Sequence, residues 1–275
     1  MNVSVMQSSA SAAPVITAHE FEGLRRWLHA NAGISLTPAK QPLVTSRLAK
    51  RLRELGLSTY TEYLRRLGSD RAERQAALDL LTTNETYFFR EPRHFEYLRS
   101  VLPTLTQSPV RVWSAACSTG EEPYSIAMLL SDALPNHRQW EVLGTDISSR
   151  VLDAARSGHY RLERARNLPP AMLSKHCLKG TGPQAGTMLV RRELRARVRF
   201  EPINLNETLP DFGQFDVIFL RNVMIYFDDA TKRDVIARLV PALRPGGHFL
   251  IGHSESLNGL TSSLRAVAPS IYRRD

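Results

Sequence analysis

A loop of small residues between a predicted strand and a predicted helix is the first candidate binding site. Residues 114–120 (SAACSTG) separate a strand over 110–114 from a helix over 121–134. Small side chains let the backbone approach a ligand closely, and the start of the helix presents N–H groups. The loop lacks the glycines of the dinucleotide fingerprint and the Gly-Lys-Ser/Thr of a phosphate loop. Glu121 and Glu122 favour a cationic ligand instead, although they could equally complement the helix dipole.

A carboxylate follows the next predicted strand. Asp146 ends the strand over 140–145, roughly 20 residues or slightly more after the loop, where a carboxylate commonly holds a ribose diol. Asp146 could instead cap the helix that starts near Ser149. Taken with the loop, it predicts an adenosine-containing, cationic ligand. S-adenosylmethionine, with its sulfonium and amino groups, fits that description.

Two further stretches combine polar and aromatic side chains. Residues 216–227 include a predicted strand, and Asn222 and Tyr226 follow its end, at the rim where open α/β sheets bind ligands. Tyr226 could instead be an aromatic residue of the core. Residues 82–91 (TTNETYFFRE) lie between two predicted units, which is a favoured place for a site. They could also form an ordinary linker.

Residues 17 to about 82 predict a small all-helical unit. Thr17 and Glu20 have the spacing of a capping box before an amphipathic run. A second helix starts near Pro42 and carries an apolar stripe that can face a core. Its other face carries four cations: Arg47, Lys50, Arg51 and Arg53. Such a face is often only solvated, but it could also bind an acidic partner.

Strands and helices alternate from about residue 110. Strands are predicted over 110–114, 140–145, 215–220 and 248–252, and helices over 121–134, 149–157 and 230–243. This order indicates an α/β, doubly wound, mostly parallel sheet. Glycine turns over 180–186 and a period-two pattern over 194–200 predict antiparallel strands. We therefore expect a small inserted β subdomain over about 177–200.

Composition limits the function classes. The chain has 275 residues with 36 Lys and Arg against 27 Asp and Glu, a net charge of +9, which suggests an acidic partner. Two cysteines cannot form a disulfide scaffold, and with no Cys/His cluster at ligand spacing we expect no metal site. No apolar run is long enough to span a membrane. Residues 1–14 resemble a disordered tail more than a signal peptide, so we expect a cytoplasmic protein.

Five motifs together resemble one known family. TTNETYFFRE, VWSAACSTGEEPYSIA, TDIS, KGTGPQAG and FLRNVMIYF occur in the order typical of the chemotaxis receptor methyltransferases of the CheR type. The resemblance runs from about residue 17 to the C-terminus. It implies a helical N-terminal domain over 15–88 and an S-adenosylmethionine-dependent methyltransferase domain over 89–275, with the β subdomain inserted. The implied activity, for sensory adaptation, is methylation of glutamate side chains in methyl-accepting chemotaxis receptors.

The resemblance also implies site residues. The family's S-adenosylmethionine pocket corresponds to Asn84, Thr86, Arg90, Glu122, Asp146, Asn204, Leu205, Asn222 and Val223. Arg90 and Tyr226 match residues near the transferred methyl group, which makes them the expected catalytic residues. The basic helix, with Arg47, Lys50, Arg51 and Arg53, is expected to face the receptor. The β subdomain matches the part that captures a C-terminal receptor pentapeptide in some members. We expect a monomer that needs no metal.

Two alternatives remain open at the level of sequence. A nucleic-acid methyltransferase would suit the positive charge, but the Asp/Asn-Pro-Pro-Tyr/Phe motif of DNA amino methylation is replaced here by Arg221-Asn222-Val223-Met224. The chain could also be a receptor-binding relative that has lost catalysis. All the motif residues are present, which disfavours this second alternative.

Overall fold

The computed structural model describes residues 14–275, so the tail predicted over 1–14 lies, apart from Pro14, outside the described residues. Its helices are α1 (Ala18–Ala32), α2 (Gln41–Glu54), α3 (Tyr60–Ser69), α4 (Arg71–Leu81), α5 (Pro92–Val101), α6 (Glu121–Ala133), α7 (Ser149–Ser157), α8 (Pro170–His176), α9 (Arg192–Arg195) and α10 (Asp229–Leu239). Its strands are β1 (Val110–Ser114), β2 (Trp140–Asp146), β3 (His159–Arg161), β4 (Cys177–Lys179), β5 (Thr187–Val190), β6 (Val198–Pro202), β7 (Phe215–Leu220), β8 (Leu243–Ile251), β9 (Leu264–Ala268) and β10 (Ile271–Arg274). Within residues 14–275, no helix is both long enough and apolar enough to cross a membrane.

Helices α1–α4 form a unit around a core of their own. The capping box of Thr17 and Glu20 opens α1, and a second capping box opens α3. The apolar stripe of α2 faces this core, where Leu48 and Leu52 are fully buried. The predicted all-helical N-terminal unit is confirmed.

Seven strands form the central sheet, in the order β6-β2-β1-β7-β8-β10-β9. The first five run parallel, whereas β10 is antiparallel to β8 and β9 is antiparallel to β10. Successive residues of β1 enter opposite cores: Val112 packs with α5, α6 and α7, and Trp113 packs with α10. The doubly wound α/β architecture is confirmed. Since the strand order reverses between β1 and β7, the topology places a binding crevice at their carboxyl ends.

The expected β insertion over 177–200 is wrong in its bounds. The separate antiparallel sheet has the order β3-β5-β4, so it recruits 159–161 from upstream. Residues 198–202 instead form β6, which pairs in parallel with β2 at the edge of the central sheet. Within the alternation over 194–200, Val198 and Phe200 are buried and Arg199 between them is exposed, whereas Leu194 and Arg195 belong to α9. One-sided burial is shared by antiparallel strands and by parallel edge strands, so the pattern could not fix the pairing partner.

The helical unit packs against the rim formed by the carboxyl ends of the strands. Ile34 forms an isolated antiparallel bridge with Phe227, just after β7. Asn204, in the segment after β6, donates from Nδ2 to the carbonyl oxygen of Asn31 at 2.7 Å. Helix α4 also contacts α7. The crevice at the switch point therefore has the helical unit as one of its walls.

Candidate functional site

A cavity of about 350 Å³ lies between the helical unit and the central sheet, at the carboxyl ends of β1, β2 and β7. All nine residues predicted for the S-adenosylmethionine pocket line it, and so does Tyr226: Asn84, Thr86, Arg90, Glu122, Asp146, Asn204, Leu205, Asn222 and Val223. Residues between 32 and 43 of the helical unit complete the wall. Six stretches that are far apart in sequence thus converge on one space: 32–43, 81–90, 115–122, 146–147, 203–205 and 221–227.

Asp146 is anchored by the backbone on both sides. Its Oδ2 accepts the N–H of Ser118 and its Oδ1 accepts the N–H of Ser148, both at 2.9 Å. An ionised carboxylate offers about four acceptor positions, so about two remain for a ligand. Burial raises the pKa of Asp146, although the bonds from these N–H groups oppose the change. The bond from Ser148, the N-cap residue of α7, shows that Asp146 fixes the start of this helix, and its ribose role stays a prediction.

Arg221 connects two carboxylates beneath the cavity. Its Nη1 donates to Glu122 at 2.7 Å and its Nη2 donates to Glu91 at 2.8 Å, and its side chain is about 1% exposed. The second oxygen of Glu122 accepts the hydroxyl of Ser114 at 2.7 Å. Burial alone raises the pKa of Glu91, but the ion pair with Arg221 outweighs it and brings the pKa to about 2. Glu122 is therefore held in a fixed position at the cavity wall.

The two glutamates of the loop motif have different roles. Glu121 is fully buried, and it pairs with Arg164 and with the hydroxyl of Thr119 instead of lining the cavity. Glu122 lines the cavity. Only one of the two carboxylates that favoured a cationic ligand can therefore meet it.

Residues 82–91 form part of the cavity wall and are more than an ordinary linker. Ser118 of the small-residue loop donates its hydroxyl to the carbonyl oxygen of Asn84 at 2.8 Å. Phe88 is fully buried in the core of the sheet domain. Arg90 lies at the cavity, and its Nη1 donates to the carbonyl oxygen of Glu85 at 2.9 Å. That bond uses one of the five N–H donors of the guanidinium.

A half-buried carboxylate, that of Glu255, shapes the turn after β7. Oε2 of Glu255 accepts the backbone N–H groups of Asn222, at 2.9 Å, and of Gly252, at 2.6 Å. Asn222 has a left-handed backbone with a φ of 57°. A Cβ at Gly252 would lie 2.4 Å from Nδ2 of Asn222, so only glycine fits at this approach. Burial raises the pKa of Glu255, and the N–H bonds that it accepts oppose the change.

The remaining predicted pocket residues come from the segments after β6 and β7. Asn204 is held by a bond from its Nδ2 to Glu207 at 2.8 Å, and Leu205 is buried. Val223 is half-buried at the cavity wall. Tyr226 is also half-buried, and its side chain lies at the cavity while it packs against the core of the sheet domain. The structure thus bears out the packing of Tyr226 against the core, and its catalytic role stays a prediction.

The four cations of the basic helix, α2, differ in their exposure and in their partners. Arg51 forms an ion pair with the buried carboxylate of Glu73 at 2.5 Å. Arg47 donates to the carbonyl oxygens of residues 81 and 82 at the end of α4, at 2.8 and 3.1 Å. Lys50 and Arg53 are exposed. Two of the four cations thus stabilise the helical unit. The other two are exposed, and Lys50 makes a surface ion pair with Glu54 at 3.7 Å.

Sequence reasoning missed several residues that build the site. Glu91, Arg221 and Glu255 form its buried charge network, and Ser118 joins two of its walls. Ser118 and Arg221 lie inside motifs that the sequence singled out, and this was the available signal. Glu255 lies far from each quoted motif, and nothing in its neighbourhood marks it as a partner of the turn at Asn222.

Comparison with known proteins decides the family. The model of the CheR methyltransferase all-alpha domain matches residues 19–82, and that of the CheR methyltransferase SAM-binding domain matches residues 84–272. The chain belongs to the CheR methyltransferase family. A chemotaxis protein methyltransferase of Escherichia coli (strain K12) is 44% identical over 258 residues, covering 92% of this chain and 89% of that protein. Chemotaxis protein methyltransferase 2 of Pseudomonas aeruginosa (strain PAO1) is 44% identical over 260 residues, covering 93% of each.

The family accounts for the position of the cavity. As a CheR methyltransferase, the chain is an S-adenosylmethionine-dependent enzyme, and the domain matched over residues 84–272 supplies most of the cavity wall. The all-alpha domain supplies the rest through the segment after α1 and the end of α4. A molecule in this cavity would therefore contact both family domains.

Proposed function

We propose that this enzyme transfers the methyl group of S-adenosylmethionine to glutamate side chains of methyl-accepting chemotaxis receptors. The products are glutamate methyl esters and S-adenosylhomocysteine. The observation that carries this proposal is the convergence of all ten predicted pocket and catalytic residues on one cavity. The names of the relatives, chemotaxis protein methyltransferases, support an acceptor that belongs to chemotaxis.

The cavity suits the donor. Its volume falls within the range of about 300–1,000 Å³ usual for small-molecule sites. Asp146 retains acceptor positions for the ribose hydroxyls, and Glu122 offers a fixed negative charge to the cationic amino acid end. Leu205 and Val223 offer apolar contacts, and Asn222 and Asn204 offer amides. When bound, S-adenosylmethionine supplies an electrophilic methyl group, and the protein has to position the acceptor against it.

The acceptor needs little activation. A glutamate side chain has an unperturbed pKa of ~4.3, so it is already ionised at neutral pH and requires no general base. We assign Arg90 and Tyr226 to orient this carboxylate, since both side chains lie at the cavity and both are donors. Positioning and removal of water then supply the rate enhancement. Arg90 must bind the carboxylate moderately, because tight ground-state binding would weaken the nucleophile.

The direct test uses methyl-labelled S-adenosylmethionine and the cytoplasmic fragment of a receptor. Treatment with base should release the label as volatile methanol, because carboxyl methyl esters hydrolyse under these conditions. A receptor fragment whose methylatable glutamates are replaced by alanine is the matched control and should take up no label. Tight donor binding with no label on any receptor would overturn the proposal, and duplex nucleic acid would be the next acceptor to assay.

Arg90→Ala tests the assignment of the acceptor site. Loss of one hydrogen bond to a charged group costs about 1.5–3 kcal/mol, so turnover should fall roughly 10–150-fold. The fold should stay intact, because Arg90 is half-buried and makes one bond to a carbonyl oxygen. Near-normal turnover in this variant would refute the role.

Two surfaces are proposed for receptor binding. Lys50 and Arg53 are exposed on α2 and can face an acidic methylation region, whereas Arg47 and Arg51 act mainly by holding the helix in place. The second surface is the small sheet. Its strand β4 pairs with β5 on one side, and no strand of residues 14–275 pairs with its other edge. A receptor's C-terminal pentapeptide could add there as a further strand.

A further inference from the structure

Three side chains with metal-binding chemistry meet beside the cavity without lining it. Glu91 and His94 lie at the start of α5, and His253 follows β8, more than 150 residues later in the chain. One ligand atom from each lies within 4.8 Å of the other two. Two imidazoles and one carboxylate are a donor set that zinc and related divalent transition metals use. None of the assignments made above for donor or acceptor involves these three side chains.

The spacing of the ligand atoms suits one small ion. Nδ1 of His94 lies 3.3 Å from Oε2 of Glu91. Two ligands at a tetrahedral zinc, each about 2.0–2.1 Å from the ion, are separated by about 3.3 Å, so this pair already has the required separation. Nε2 of His253 lies 3.9 Å from the same oxygen. The three ligand atoms lie within 4.8 Å of one another, so His253 would have to move closer by up to about 1.5 Å, and its side chain, 46% exposed, has room to rotate.

His94 is the second, independent indication of a ligand. His94 is 1% exposed, and neither nitrogen of its ring has a hydrogen-bond partner among residues 14–275. A buried polar group without a partner is costly, and each such group calls for an explanation. Burial lowers the pKa of His94 to about 3, so the imidazole is neutral and has a lone pair to offer. The ring of His253 stands edge-on to it, with 4.8 Å between the centroids.

We propose that Glu91, His94 and His253 form a binding site for one divalent transition metal ion of the zinc class. Arg221 donates to the same Oε2 of Glu91 that faces the two imidazoles, so the ion would use the second lone pair of that oxygen. The charge of Arg221 is shared with Glu122. Arg221, Glu91 and Glu122 together have a net charge of −1. The exposed side of His253 leaves room for water as the fourth ligand, as in open zinc sites.

The ion would fasten two parts of the cavity rim to each other. It joins the first turn of α5 to the turn after β8. The other oxygen of Glu91 accepts Nδ2 of Asn222 and the backbone N–H of His253, both at 3.2 Å. Metal bound at Glu91 would therefore act on the donor pocket through Asn222 and through the shared bond to Arg221.

Calorimetric titration of the metal-free full chain with zinc chloride tests the site directly. One equivalent should bind to the wild type. Loss of a residue that only hydrogen-bonds to a metal ligand weakens metal binding about 10–100-fold, and His253→Gln removes a ligand itself, so it should weaken zinc binding by at least this factor. His94→Gln should do the same. His137→Gln is the matched control, because His137 is exposed in the turn between α6 and β2.

A second measurement keeps the proposal testable where the buried variant fails to fold. Cobalt(II) should give the strong visible absorption of a four-coordinate site in the wild type and in His137→Gln, and this absorption should be lost in His253→Gln. His253 is half-exposed, so its variant can be expected to fold. Absence of zinc binding, or zinc affinity that is unchanged in His253→Gln, would overturn the proposal. Neither readout depends on methyl transfer, so it stands or falls separately from the proposed function.

Discussion

Replacement of Asp146 by Asn tests whether this carboxylate holds the donor. The substitution keeps the size of the side chain but exchanges one acceptor oxygen for an NH₂ group. In the structure each oxygen already accepts a backbone N–H, from Ser118 or from Ser148. The variant therefore loses one of these bonds, and it can no longer offer an ionised acceptor to two ribose hydroxyls.

The two losses affect different measurements. A lost hydrogen bond to a charged group is worth about 1.5–3 kcal/mol, so the Kd for S-adenosylhomocysteine should rise roughly 10–150-fold. The orphaned backbone N–H costs about 1–3 kcal/mol of folding stability. Because burial raises the pKa of Asp146, removal of its charge offsets part of that cost. The free energy of unfolding should thus fall by about 1 kcal/mol, near the low end of the range.

Isothermal titration with S-adenosylhomocysteine measures the first effect, and urea unfolding measures the second. Asp153→Asn is the matched control: it makes the same chemical change later in α7, where the side chain is 77% exposed. The control should bind with unchanged affinity. An Asp146→Asn variant that folds normally and keeps its Kd within twofold of the wild type would refute the assignment of this carboxylate.

Three further predictions concern charge. Arg221→Met should lower the free energy of unfolding by about 3–5 kcal/mol in urea titrations, because it leaves Glu91 and Glu122 buried without their partner. Against the effect of burial, the ion pair with Arg221 lowers the pKa of Glu91 from 4.5 to about 2, so the pair stabilises the fold above about pH 4.5 and this stability is lost as the pH falls toward 2. In a plot of the free energy of unfolding against pH, this acid dependence should flatten in Arg221→Met. The double variant Lys50→Gln/Arg53→Gln should slow receptor methylation and reduce its salt dependence, with the donor Kd unchanged.

The sequence was sufficient where a site residue sits at a fixed place in a repeating topology. Asp146 ends β2, and Glu122 lies in the first turn of the helix after β1. Parallel strands bring their carboxyl ends to one rim, so the topology places the two residues together. Arg221 and Glu91 form an ion pair although they lie 130 residues apart in the chain, and no local pattern predicts such a pair. Arg51 shows the same limit, since only the fold reveals that it forms an ion pair with Glu73 and is therefore not free for a partner.

The secondary structure shows a similar division. Helix α7 was predicted over 149–157 and has those bounds, because its one-sided burial and the left-handed glycine after it, Gly158, are local properties. The strand β6 was found but paired wrongly, since alternation reports burial and not the neighbour. Strands β9 and β10 were missed. They complete the sheet by antiparallel pairing, β10 to β8 and β9 to β10. Most residues of β9 are exposed, so little hydrophobic pattern marks it.

Backbone strain at the site explains why buried side chains surround it. Five residues other than glycine have positive φ among residues 14–275, and four of them lie in or beside the cavity wall: Phe89, Glu91, Ser118 and Asn222. Such conformations cost roughly 1–2 kcal/mol each and persist where the surroundings hold them. Three of the four donate their own N–H to a side chain at 2.9 Å: Phe89 to Ser125, Ser118 to Asp146 and Asn222 to Glu255. The acceptors fix the turns before any ligand arrives. For a reaction whose nucleophile is ionised at the outset, such preorganisation is the main contribution that the protein can make.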